Sequence, residues 1–179
     1  MPDAIIDLLR SNYNEEHGVT NVRPVVDELL AKSRTPFPDI AVTFRNAEPR
    51  WRLPILEAMR ALCVVGRCTQ DDAELLMRAT ETVAADSGND EYFKSINALV
   101  ASRRSAPALI SFVARWLRVP QDEFTRRLAF YVVGMLLEHQ TAEITDEVWT
   151  ALKSAADSEG SDKMKAQFAD ILGRLTGMA

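Results

Sequence analysis

Few residues in this chain have the types and spacing that chemistry needs. Glu138-His139 places an acid beside an imidazole, but neighbouring helix residues point in different directions, so the pair is no catalytic dyad by itself. His139 falls near the end of its helix, where a protonated imidazole is favoured, and His17 follows Glu15-Glu16 in a loop. Cys63 and Cys68 flank the end of an apolar helix and read as buried reduced thiols. A zinc site wants about four ligands, and two cysteines with two distant histidines do not supply them. Asp71, Asp72 and Glu74 could be drawn as a cation site. Their place in a first helical turn already accounts for them, because the helix dipole favours acids there. Gly66, Gly88 and Gly134 lack the strand-to-helix spacing of a phosphate loop. The reading is no catalytic residue, no metal and no cofactor.

The most suggestive polar group is Arg50-Trp51-Arg52. Trp and Arg are over-represented at binding hot spots. With Arg45 nearby and Arg60 further along, it could form a basic strip for phosphate. Trp51 also lies on an apolar stripe with Ile55 and Met59, which points to the core instead. Arg103-Arg104 and Arg126-Arg127 read as solvated pairs that compensate helix dipoles.

The elements that must position these residues are helices. Trp51, Ile55, Ala58, Met59, Leu62 and Cys63 recur at helical steps, with Pro49 and Pro54 marking the start and Gly66 the close. Thr69 caps the next helix, whose stripe runs through Ala73, Leu76, Met77, Thr80, Val83 and Ala84. Further starts fall near residues 90, 106, 121, 145 and 161. Thr145 and Ser161 are the caps of the last two helices. Phe124, Leu128, Tyr131, Val132, Met135 and His139 form the longest stripe, and Leu128, Tyr131, Val132 and Met135 are expected in the most buried helix. Upstream, helices are expected over about 3–12 and from an Asn21 cap to Lys32. Residues 39–46 fit a strand or a short helix; helical neighbours favour the helix. The expectation is an all-α chain of about nine to ten helices in one domain spanning 1–179. They would stack as antiparallel hairpins, in a regular superhelix or an irregular bundle.

Two stretches carry a resemblance. Arg52-Leu53-Pro54-Ile55-Leu56-Glu57-Ala58-Met59-Arg60-Ala61-Leu62 resembles a helix of HEAT and armadillo repeats. Arg126-Arg127-Leu128-Ala129-Phe130-Tyr131-Val132-Val133-Gly134 resembles it too. The likeness covers about a third of the chain and implies a right-handed superhelix of helix pairs. In size, acidity and helicity the chain is also similar to bacterial immunity proteins, which block secreted toxins; no motif residue carries that likeness.

Charge narrows the functions. Of a net −5, the last third holds −4, with 10 acidic and 6 basic side chains over residues 121–179. Nucleic acid is disfavoured, since its binding draws on Lys and Arg that neutralise phosphates. No apolar run approaches the roughly 18 residues that span a bilayer, and the N-terminus is acidic, so a cytoplasmic protein is expected. The reading is a non-catalytic module that binds a protein partner, with a basic one suited to the acidic charge, as an immunity or antitoxin-type inhibitor would. Glu138, Glu143, Asp146 and Glu147 are its contact residues. No small-molecule substrate is expected. The alternative is a HEAT-like nucleic-acid-processing enzyme such as a DNA glycosylase.

Overall fold

The computed structural model describes residues 2–14, 19–33, 36–66, 68–102, 106–117, 123–138 and 144–177. Among them are ten helices: α1 (Pro2–Ser11), α2 (Arg23–Lys32), α3 (Phe37–Asn46), α4 (Pro49–Val64), α5 (Gln70–Ser87), α6 (Asp90–Ala101), α7 (Ala106–Leu117), α8 (Glu123–Glu138), α9 (Asp146–Asp157) and α10 (Asp162–Thr176). The chain is all-α, as the hydrophobic period predicts. One small exception is an antiparallel ladder of β1 (Tyr13–Asn14) with β2 (Val19–Thr20), where the sequence reads only as a break. Two residues per strand are too few to show a period of two. No helix among the described residues is long and apolar enough to cross a membrane.

The helices gather into two compact units, residues 1–105 and 106–179. In the first, α4 packs against α1, α2, α3, α5 and α6. Its buried face holds Trp51, Ile55, Leu56, Ala58, Met59, Arg60, Leu62 and Cys63, wider than the stripe read from spacing. Pro49 stands in its first turn, where a missing N–H costs nothing. Pro54, expected to mark the start, instead lies inside the helix, so the Arg50 carbonyl lacks its helical donor. Gly66 closes the helix region with φ near 76°, a conformation that L side chains rarely adopt. The short segment 37–46 is helical because Phe37, Ile40, Ala41 and Phe44 then share one buried face. Asn21 does not hold the N-cap position of α2, yet its Oδ1 accepts the Arg23 N–H at 3.2 Å.

In the second unit α8 packs against α7, α9 and α10. Leu128 and Val132 are buried as expected, together with Ala129, Phe130, Val133, Leu136 and Leu137. Tyr131 and Met135 are only half-buried, so the inward face is rotated from the expected stripe. The helix is apolar around much of its girth, and its partners select which side turns in. Thr145 caps α9, its hydroxyl accepting the Val148 N–H, and Ser161 caps α10 through Met164. Helix α10 buries a single residue, Phe168, whose ring stacks on Phe130.

Gly173 of α10 is exposed, and a Cβ there would meet nothing within 4 Å. Gly173→Ala should therefore raise stability by about 0.5–1 kcal/mol, the helix-interior difference between Gly and Ala. Denaturant titration reads this directly.

Candidate functional site

In the first unit a cleft of about 270 Å³ is lined by Ile6, Asp7 and Arg10 of α1, Asn46 at the end of α3, Ala47 and Glu48 of the following turn, and Trp51 of α4. The turn itself follows from local chemistry. Ala47 is extended at the C-cap of α3, Pro49 starts α4, and the Trp51 N–H donates to the Glu48 carbonyl at 2.9 Å. Trp51 is buried, 9% exposed, in agreement with its place on the apolar stripe. Three groups crowd its indole. The Arg10 guanidinium lies 5.9 Å from the ring centroid, the Arg50 guanidinium 5.5 Å, and the Tyr13 ring meets it edge-on at 6.2 Å. Each cation over the ring is worth about 0.5–1 kcal/mol at an exposed site. The same cations are paired with acids, Arg10 with Asp7 at 3.3 Å and Arg50 with Glu48 at 2.9 Å, both pairs well exposed. The Trp51 Nε1–H is enclosed and has no acceptor.

Arg60 does not extend this group into a basic strip. It is buried at 7% exposure between α4, α5 and α6. Its Nη2 donates to the Glu91 carboxylate at 2.7 Å and to the Glu91 carbonyl at 3.0 Å, and its Nε donates to Ser95 Oγ at 2.9 Å. Lys94 Nζ takes the other Glu91 oxygen at 2.7 Å, and the Thr80 and Ser95 hydroxyls meet at 2.6 Å. Burial pushes the Glu91 carboxyl up, but hydrogen bonds from Lys94 and Arg60 outweigh it and hold the group below the usual carboxylate range. Half-buried Glu57 goes the other way. Desolvation raises it, and Arg60 only partly offsets that. The geometry of the cluster joins three helices rather than facing a substrate.

The acids expected to bind a partner belong to the second unit. Glu138, Asp146 and Glu147 are exposed; Glu143 lies outside the described residues, as do His17, His139 and the Arg103-Arg104 pair. Asp146 and Glu147 open α9, where the dipole favours them. Glu138 is the last residue of α8, where it does not. Arg127, read from sequence as solvated, pairs with Glu123 and at 3.5 Å with Glu159. Buried Glu159 also accepts the Ser161 N–H at 3.0 Å, and that bond, helped by Arg127 against desolvation, holds its carboxyl below the ordinary value. Sequence reasoning missed this contact because the partners are 32 residues apart.

The remaining candidates have structural roles. Asp72 closes a capping box, its carboxylate accepting the Thr69 N–H while its own N–H reaches the Thr69 hydroxyl. Cys63 and Cys68 are free and buried. The Cys68 thiol and burial together push the Cys63 thiol above its ordinary range, which disfavours the reactive thiolate. No group of three or more metal-ligating side chains occurs among the described residues. No protein-family model matches this chain, and neither a curated protein nor a solved structure is found similar to it.

Proposed function

We propose that this chain is a non-catalytic binding module that holds a basic partner protein on the acidic surface of its second unit, through Glu138, Asp146 and Glu147 with Glu143 beside them in sequence. The observation that carries the reading is Glu138. An exposed acid at the C-terminal end of α8 opposes the helix dipole and costs about 0.3–1 kcal/mol. The dipole of α8 gives no reason to keep it, whereas attraction to a cationic surface does. The HEAT-like likeness is supported by the pattern of packing. Within each unit the helices touch mainly their first and second neighbours along the chain, as stacked helix pairs do. Such stacks present a broad face, and the small acidic immunity proteins supply the model of use: blocking a partner by covering it.

Glu138→Gln combined with Asp146→Asn and Glu147→Gln should slow association with that partner steeply at low salt and leave dissociation less changed. Glu138→Gln alone should leave folding stability equal or slightly higher. The partner is to be recovered by pull-down from the native host and the rates read by stopped flow. A triple variant that associates at the wild-type rate in low salt rejects this surface, and turnover of a substrate by the pure protein rejects the class.

A further inference from the structure

We propose that Cys63 and Cys68 close an intrachain disulfide when the protein meets a small disulfide oxidant, clipping the end of α4 to the start of α5. The inference concerns the first unit and stands without the proposal above.

Cys63 lies in the last turn of α4, and Cys68 stands just before Thr69, the N-cap of α5. Between them the chain reverses. The Val65 and Gly66 N–H groups donate to the Ala61 and Cys63 carbonyls at 3.1 and 2.9 Å, and Gly66 takes φ near 76°. The capping box of Thr69 and Asp72 then fixes the start of α5. This reversal brings the two side chains together. Contact with the Cys68 thiol, ahead of burial, is what pushes the Cys63 thiol above its ordinary range. Free cysteines often fill a core as small apolar groups, which accounts for the burial of each. It does not account for two sulfurs meeting across a turn. Cys63 is 0% and Cys68 1% exposed, whereas Val64, Val65 and Gly66 between them are exposed. The pair therefore sits beneath a surface turn, within reach of a reagent whenever that turn opens.

The step balances with a small disulfide such as oxidised glutathione. Cys68, which lies outside both helices, attacks one oxidant sulfur as its thiolate; the oxidant's S–S bond breaks and one thiolate leaves. Cys63 then attacks the Cys68 sulfur of the mixed disulfide, and the second thiolate leaves. The two cysteine protons pass to the two leaving thiolates. The protein is oxidised by two electrons, and the oxidant is reduced to two thiols. Thiolate is scarce while the turn is closed, so closure takes minutes to hours.

The test incubates reduced full-length protein with oxidised glutathione under native conditions, blocks the remaining thiols, and digests with trypsin without reductant. The cut after Arg67 falls between the two cysteines, so the disulfide joins peptides 61–67 and 68–78. We expect this linked pair from a monomer lighter by two hydrogens. The Tm should rise by about 4–8 °C over the reduced protein, the shift for a short closed loop in a chain of this size. Dithiothreitol should reverse both changes. Cys63→Ala, which adds no polar atom to the core, should stop at the glutathione adduct of Cys68 and show no rise in Tm. Unlinked peptides overturn the proposal. So does a link found only between chains, or only at denaturant concentrations that unfold the protein. A linked monomer whose Tm is unchanged or lower rejects the clip, and a Cys63→Ala protein that takes up no glutathione rejects the assigned step.

Discussion

Arg60→Ala is expected to destabilise the protein by roughly 3–5 kcal/mol, the range for breaking a buried ion pair from one side. The loss arises from what is left behind. Without the guanidinium, the Glu91 carboxylate keeps only Lys94, and the Glu91 carbonyl loses the Arg60 donor. The Ser95 hydroxyl also loses its bond to Nε. Glu91 is 4% exposed, so water does not readily replace these donors. The pair itself is worth much less than its removal, because taking two charges out of water offsets most of their attraction. A cycle separates the two quantities. Arg60→Met with Glu91→Leu should recover a large part of what Arg60→Ala loses. A loss below about 1 kcal/mol for Arg60→Ala in denaturant titration would place the pair with ordinary surface bridges.

The cluster also sets a pH dependence. Glu91 is depressed when folded, so its contribution is complete above the unfolded carboxylate value of about 4.3 and is lost as pH falls through the lower folded value. Glu57 is raised, so the folded state favours its protonated form. Its contribution is present on the acid side and is lost as pH climbs from about 4.3 through the folded value. Arg60→Ala should therefore flatten the acid limb of the stability curve, whereas Glu57→Gln should raise stability near neutral pH.

The seven helices from α4 to α10 were legible because each carries one apolar stripe at helical spacing and its boundaries carry turn chemistry. Thr69, Thr145 and Ser161 act as the caps that their positions predict, and Gly66 takes the positive φ of a chain turning out of a helix. What periodicity could not rank was the width of a buried face. Arg60 is next to Met59 on that face, and an arginine enters a core only when a partner awaits it. Here the partner is Glu91, 31 residues away, and nothing local to Arg60 announces it. The same limit applies to Arg127 and Glu159. Tyr131 and Met135 were placed too deep because α8 offers more apolar surface than its neighbours cover. As for the cleft, Trp51 stood out in sequence, but Arg10 and Asp7 reach it by the packing of α1, which no spacing encodes. The exposed acids of α8 and α9 were identified as charge, and charge alone does not tell a contact surface from a solvated one.

Phe168→Ala is expected to cost roughly 3–5 kcal/mol, the range for emptying a buried aromatic site, and to release α10 from its unit. Phe168 is the one residue that α10 fully buries, while Met164, Ile171, Leu172 and Leu175 stay half-exposed. Its ring lies 3.6 Å from that of Phe130 at 6°, nearly face to face. Aromatic rings prefer offset or edge-to-face contact, so the attachment comes mainly from apolar burial and close packing rather than from ring electrostatics. Leucine should then recover much of the loss, since it restores most of the apolar volume without the ring. Glu159 and Ser161 hold the turn before α10 by polar contacts, so the start of the helix should remain anchored while its body loosens. Amide exchange would show this as faster exchange over 164–176 in Phe168→Ala, with α7 and the first turns of α9 protected as in the wild type. Uniform loss of protection across 106–177 would mean instead that α10 is integral to the unit's core and cannot open separately.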